Sequence, residues 1–150
     1  MIRIRTCKKS DLAKVRALWS DSVGYCRKAA EKKNPSPCNS DKDKCECDAK
    51  FIIAEEDEHL VAFGSYIKSG DKIAELTEMK VHPEYRDKNL PYILMESLEE
   101  RAQNDGLQGF YHITSDKHCQ ARDIWYDLGF AEKESVMEES KEYTVYEKLF

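Results

Sequence analysis

The chain has 150 residues, with 24 Lys and Arg against 29 Asp and Glu, for a formal charge of −5. That length suits a single domain over residues 1–150, and 41% hydrophobic with 35% charged residues supplies a core and argues against global disorder. No run nears the ~20 apolar residues of a membrane span and the N-terminus lacks the apolar stretch of an export signal, so the expected compartment is the cytoplasm, no membrane partner is expected, and the six cysteines should be reduced. Ile2, Ile4 and Thr6 alternate with Arg3 and Arg5, as in a half-buried strand. Ser10-Asp11 offers an N-cap to a helix whose apolar face is Leu12, Val15, Leu18 and Trp19. A second helix is expected from Asp21 to about Lys33, where Asn34-Pro35-Ser36-Pro37 breaks it and a polar loop runs to Asp48. Strands over 51–54, 59–67 and 73–81 form a meander that His82-Pro83 ends. A helix over 90–104 closes at Asp105-Gly106, a strand covers 109–114, and a helix over 120–128 closes at Gly129. Strands at 131–137 and 143–149 complete an α+β chain, a mixed, mostly antiparallel sheet of about seven strands with helices on both faces.

Charge divides the chain. Residues 1–50 carry a net +6 and residues 51–150 a net −11. The basic residues are scattered rather than gathered into a stripe with aromatics, which argues against a nucleic-acid partner. The acidic part suits a small cationic or amine-bearing substrate instead. Cys26, Cys38, Cys45 and Cys47 have the long, uneven gaps of a thiol-bearing loop rather than the paired knuckles of a zinc site, so no metal is expected.

Two blocks carry a family likeness. The run Ala74-Glu75-Leu76-Thr77-Glu78-Met79-Lys80-Val81-His82-Pro83-Glu84-Tyr85-Arg86 resembles the fourth strand and following turn of the GNAT superfamily of acyl-CoA-dependent N-acyltransferases. The run Ala121-Arg122-Asp123-Ile124-Trp125-Tyr126-Asp127-Leu128-Gly129-Phe130 resembles the later Ala-x-x-x-Tyr-x-x-x-Gly-Phe helix of that family. The resemblance implies a GNAT-like fold and transfer of an acetyl group from acetyl-CoA to a primary amine on a small molecule or peptide, by direct attack in a ternary complex. It implies that the pantetheine arm pairs with the backbone of Met79, Lys80 and Val81. The pyrophosphate would sit on Arg86, Asp87, Lys88, Asn89, Leu90, Pro91 and Tyr92, where helix N–H groups converge with the positive end of the helix dipole behind them. Trp19, Tyr25 and the loop beyond would wall the acceptor side. A homodimer is compatible with the fold.

The chain also departs from the family. Asn89 and Pro91 stand where the family's loop has glycines, and Pro91 has no N–H to give a phosphate. Asn tolerates a left-handed backbone, so Asn89 is expected to keep the turn. His118 replaces a usual Asn on the cofactor side. Trp125 replaces the Tyr that often protonates the leaving thiolate, with Tyr126 as its neighbouring substitute. For the base that deprotonates the amine, Glu75 lies eleven residues before Arg86, where some members carry a catalytic Glu. Strand alternation places Glu78 on the opposite face, so only one of the two should face the acyl site, and Glu75 is preferred. Tyr111, His112 and His82 are lesser candidates. The alternative reading is a catalytically weak or inactive binding or regulatory module of the same fold.

Overall fold

The computed structural model describes residues 1–21, 23–24, 49–85, 89–115 and 125–150. The loop over 34–48, residues 86–88 with Arg86, Asp87 and Lys88, and residues 116–124 with His118 lie outside the described residues, as do Tyr25, Cys26, Cys38, Cys45 and Cys47. The main path through the sheet runs β1 (Arg3–Thr6), β3 (Ala49–Glu56), β4 (His59–Lys68), β5 (Ile73–Val81), β6 (Gly109–Ser115), β8 (Lys141–Leu149), β7 (Ala131–Glu138). Every neighbouring pair is antiparallel except β5–β6. A two-residue strand, β2 (Val23–Gly24), leaves that path and pairs with β5. The helical pattern expected from Asp21 onward therefore fails at Val23–Gly24, where backbone pairing with β5 overrides local propensity.

Helices cover both faces. Helix α1 (Leu12–Asp21) follows a 3-10 turn at Lys9–Asp11 and buries Val15 and Leu18. The expected Ser10-Asp11 cap acts one turn earlier: the Asp11 carboxylate accepts the Lys8 amide at 2.7 Å. Arg5 donates both terminal nitrogens to that carboxylate at 2.8 Å and its Nε to Glu55 at 3.1 Å, tying β1, β3 and the entry to α1 together. Hydrogen bonds from Arg5 hold both carboxyls below their ordinary range. Helix α2 (Leu90–Asn104) lies on the other face, with Leu90, Leu94, Met95, Leu98 and Ala102 buried. Gly64 of β4 permits this approach, since a Cβ there would meet Leu98 Cδ1 at 3.1 Å and the Glu78 carbonyl at 3.3 Å.

Glycine closes two helices. Leu107 N–H reaches the Ala102 carbonyl and Gly106 N–H that of Gln103, with Gly106 left-handed at φ +84°. Phe130 N–H likewise reaches Trp125 and Gly129 N–H reaches Tyr126, with Gly129 at φ +95°, and the Phe130 and Trp125 rings pack 5.1 Å apart. Both are the six-to-one, five-to-two pattern by which a left-handed glycine satisfies the last helical carbonyls.

Beneath that second closure lies an aromatic cage. His112 of β6 stacks against Trp125 at 3.5 Å and Tyr146 at 5.0 Å, with Phe130 edge-on. It is fully buried, and neither ring nitrogen has a hydrogen-bond partner among the described residues. Burial drives its pKa well below the usual imidazole value, so the ring is held neutral. Below about pH 6.5 the unfolded chain takes up a proton at this position that the folded chain refuses. Stability is then flat in this term above pH 6.5 and falls by up to ~1.4 kcal/mol per pH unit below it. Urea unfolding between pH 7.5 and 5.0 should show that slope in wild type and lose it in His112→Phe. Equal slopes would mean that other groups carry the acid sensitivity.

Candidate active site

The site is built by two irregularities in β5. The first is a bulge. Ser65 of β4 pairs with Glu78 and its neighbour Tyr66 pairs with Leu76, so Thr77 is an extra residue. Side chains of directly paired residues share a face, and successive residues of an unbulged strand alternate. Glu78 thus takes the face of Ser65. Glu75, paired with Ile67, takes the same face, because Ser65 and Ile67 are two apart. The expectation that only one of Glu75 and Glu78 can face the acyl site is overturned: the alternation it relied on is broken at Thr77. A buried 2.6 Å hydrogen bond between the Ser65 and Thr77 hydroxyls sits at this irregularity.

The second irregularity is a divergence. The parallel β5–β6 pairing covers Ile73, Ala74 and Glu75 against Gly109, Phe110 and Tyr111 and then stops, although both strands continue. Beyond it, β2 takes the same edge of β5, with Val23 opposite Val81 and Gly24 opposite Lys80. Between those pairings, neither β6 nor β2 reaches the Leu76–Met79 stretch of that edge. At ~3.3 Å per residue this opens a slot about 13 Å long in the middle of the sheet.

The α1 face of the slot is acidic and partly buried. Glu78 is 1% exposed and Glu75 is half-buried. Lys80, on the same face two residues beyond Glu78, is buried as well. Desolvation lowers its pKa while the Glu78 charge raises it. Next to Glu75 across the β5–β6 pairing is Tyr111, which gives its hydroxyl to Ser69 at 3.0 Å. Tyr111 lines a cavity of about 330 Å³ together with the apolar Ile113 and Val145 and with Lys133, Glu134 and Glu147. Lys133 pairs with Glu147 at 3.1 Å.

At the far end of β5, Asn89 is left-handed (φ 58°, ψ 12°) and leads into α2, as expected for a residue in a glycine position. Leu90 and Pro91 are buried, and Tyr92 is 41% exposed. The amides of Tyr92 and Ile93 both go to the Asn89 carbonyl at 3.1 Å. With Pro91 lacking an N–H and the Tyr92 and Ile93 amides turned to Asn89, the first turn of α2 has few backbone donors to offer a ligand.

Four sequence-predicted site residues, Tyr126, Trp125, Lys80 and Val81, have surroundings other than those expected. Tyr126 is 46% exposed, with its hydroxyl 3.5 Å from Glu132 of β7 and its ring against Tyr146 of β8. These contacts place it over β8 and β7, with β6 lying between β8 and β5. Trp125 is fully buried in the His112 cage and offers no surface to a cofactor. Lys80 and Val81 do not present a free pairing edge, because β2 already lies along it, whereas Met79 stays within the slot. His112, a lesser base candidate, is enclosed in the core. His82 accepts the Glu84 amide at 3.2 Å and packs on Tyr85.

Comparison with known proteins bears on the family and the fold. The sequence profile of the acetyltransferase (GNAT) family matches residues 15–130, and the chain belongs to that family. No curated protein sequence matches it. Among solved structures, a GNAT-family acetyltransferase from Desulfovibrio desulfuricans aligns over 99% of both chains at 15% identity and TM-score 0.80. The ribosomal-protein-S18-alanine N-acetyltransferase of Escherichia coli aligns over 99% of this chain and 94% of its own, at 15% identity and TM-score 0.77. The PaiA N-acetyltransferase of Thermoplasma acidophilum, solved with coenzyme A, aligns over 100% and 99% at 18% identity and TM-score 0.76. The GNAT-like α+β fold is thereby established, and acyl transfer is the family's chemistry. Among the described residues no helix is long and apolar enough to cross a membrane. Among them, too, no group of three or more His, Cys, Asp and Glu side chains is placed to hold a metal ion.

Cys7, at the end of β1, is the one thiol among the described residues. Burial, with Asp11 and Glu78 adding to it, pushes its pKa up to about 12. The thiol stays protonated at neutral pH and cannot act as an acyl acceptor. Alkylation at Cys7, followed by mass spectrometry at pH 7.5, should run at least about a hundredfold slower in the native protein than in urea.

Proposed function

We propose that the chain transfers an acetyl group from acetyl-CoA to a primary amine, on a small molecule or a peptide, by direct attack in a ternary complex. One observation carries the reading: the slot in β5 has two carboxylates on its α1 face and the start of α2 at its end. The donor enters along the α2 side, its pyrophosphate on the Leu90 amide and the cations Arg86 and Lys88, its thioester in the slot. The amine arrives on the α1 face, where Glu75, Glu78 and the adjoining cavity favour a cation.

Glu75 takes the proton from the ammonium. It is the better base because it is half-buried and can pass the proton on to solvent, whereas Glu78 is enclosed beside Lys80. The freed nitrogen then bonds to the thioester carbon, the carbon–sulfur bond breaks, the sulfur leaves as a thiolate, and the nitrogen gives its second proton to water as the amide forms. A thiol of ordinary pKa near 8.5 is a good leaving group, so water can return its proton and the reaction does not depend on the tyrosine that the family often supplies. Glu75→Gln is expected to lower kcat at least a hundredfold with donor affinity unchanged, measured as amine acetylation and by calorimetry. Near-normal turnover in Glu75→Gln with loss in Glu78→Gln would move the base to Glu78.

Pro91 and the committed Tyr92 amide favour a second reading, a non-catalytic module of the fold. A thermal shift with acetyl-CoA separates the two, because a ligand of the native state raises Tm. The same feature predicts weak donor binding. Pro91→Ala restores an N–H at the start of α2, and a charge-assisted hydrogen bond of ~1.5–3 kcal/mol corresponds to roughly 10- to 150-fold in affinity. Calorimetry should show tighter acetyl-CoA binding in Pro91→Ala. Unchanged binding with an intact fold would mean that the residue 91 amide does not point at phosphate.

A further inference from the structure

The two-residue strand β2 lies where an extended ligand would. His82 N–H donates to the Val61 carbonyl of β4 at 2.8 Å, so the backbone groups of residue 82 point toward β4. Backbone polar groups alternate sides along a strand. Those of Val81 therefore point the other way, toward the edge that β6 has left, and Val23 is the residue opposite them. In an antiparallel pair of this phase the two residues exchange both N–H···O=C bonds. The outward N–H and C=O of Val81 are spent on a segment of the same chain.

We propose that β2 is a built-in competitor of the acyl donor: Val23–Gly24 hold the β5 edge closed, and the amide-bearing arm of acyl-CoA must displace them to pair with β5 beyond Met79. This rests on the acyl-CoA reading given above. The donor carries two amides on a flexible arm, the chemistry that an open strand edge recognises by strand addition. Without displacement, the arm has only the Leu76–Met79 slot to follow. A protein whose competent state is a fraction of the population binds with its affinity reduced by that fraction. Two ordinary hydrogen bonds, each ~0.5–1.5 kcal/mol net, correspond to a reduction of about five- to 150-fold.

Val23→Pro removes the N–H that the Val81 carbonyl accepts, and the ring disfavours the ladder. Because β2 lies off the main path of the sheet, the fold should survive, which circular dichroism checks. Calorimetric titration with acetyl-CoA should give a Kd at least about threefold lower in Val23→Pro than in wild type, with Val23→Ala, which keeps the backbone donor, near wild type. Hydrogen exchange on the unaltered protein gives an independent reading: the Val23 amide should be protected without donor and should lose that protection when acetyl-CoA is bound. Equal or weaker binding in Val23→Pro, or a Val23 amide as protected with acetyl-CoA as without it, overturns the proposal and makes β2 a fixed wall of the site. No binding of acetyl-CoA to wild type or to any variant is a different failure. It removes the acyl-CoA reading itself and the competitor with it.

Discussion

The extra residue at Thr77 is the constraint on which the site depends. Without it, Glu75 and Glu78 would lie on opposite faces and one would be pressed against α2. With it, both side chains meet on the α1 side. The bulge is held from two directions. On the α1 face the Ser65 and Thr77 hydroxyls bond to each other. On the α2 face Gly64, opposite Met79, leaves the space that Leu94 and Leu98 fill, since a Cβ there would meet both of them and the Glu78 carbonyl. A change in this small region would alter the direction of a carboxylate as well as the local packing, so stability and chemistry are coupled there.

The same irregularity accounts for the limits of the sequence reading. The β5 range and the α2 range are legible because period-two and period-3.6 patterns run cleanly between turn signals, and the Asn89 turn and the Gly106 and Gly129 closures are legible because few residues adopt a left-handed backbone. A bulge has no such signature. Ala74-Glu75-Leu76-Thr77-Glu78-Met79 reads as simple alternation, and only the partner strand reveals that one residue is unpaired. Val23–Gly24 misled for a related reason: local sequence suits a helix, but a non-local partner decides the structure. Tyr126 stood beside the family's tyrosine position in the chain, yet one residue turns the side chain ~100° around a helix, enough to send it to β7.

Burial of Trp125 has a further consequence for the fold. With tryptophan rather than tyrosine at this helix position, the indole fills the space between His112 and Phe130 and helps enclose the imidazole. The cage is apolar enough to keep His112 neutral, which suits a core residue and makes it unsuitable as a proton carrier. Two residues with chemically capable side chains thus serve packing. Under the proposed function the proton chemistry falls to β5, where Glu75 combines partial burial with access to solvent and Glu78 is enclosed.

Under the proposed function, the donor and acceptor sides of the slot differ in how completely they are formed. On the acceptor side the carboxylates, Tyr111 and the neighbouring cavity sit on paired strands whose register fixes them. On the donor side the backbone groups that a phosphate or an extended arm would use are largely committed within the chain. Pro91 has no amide, the Tyr92 and Ile93 amides go to Asn89, and the outward edge at Val81 faces β2. Each commitment is a hydrogen bond or a missing donor of modest size, but they act on the same ligand and in the same direction. On the proposed reading, affinity for the donor depends on how readily the chain exchanges its own backbone contacts for those of the ligand. This makes the donor side, with its shared use of backbone groups, the part of the molecule where small changes have most leverage.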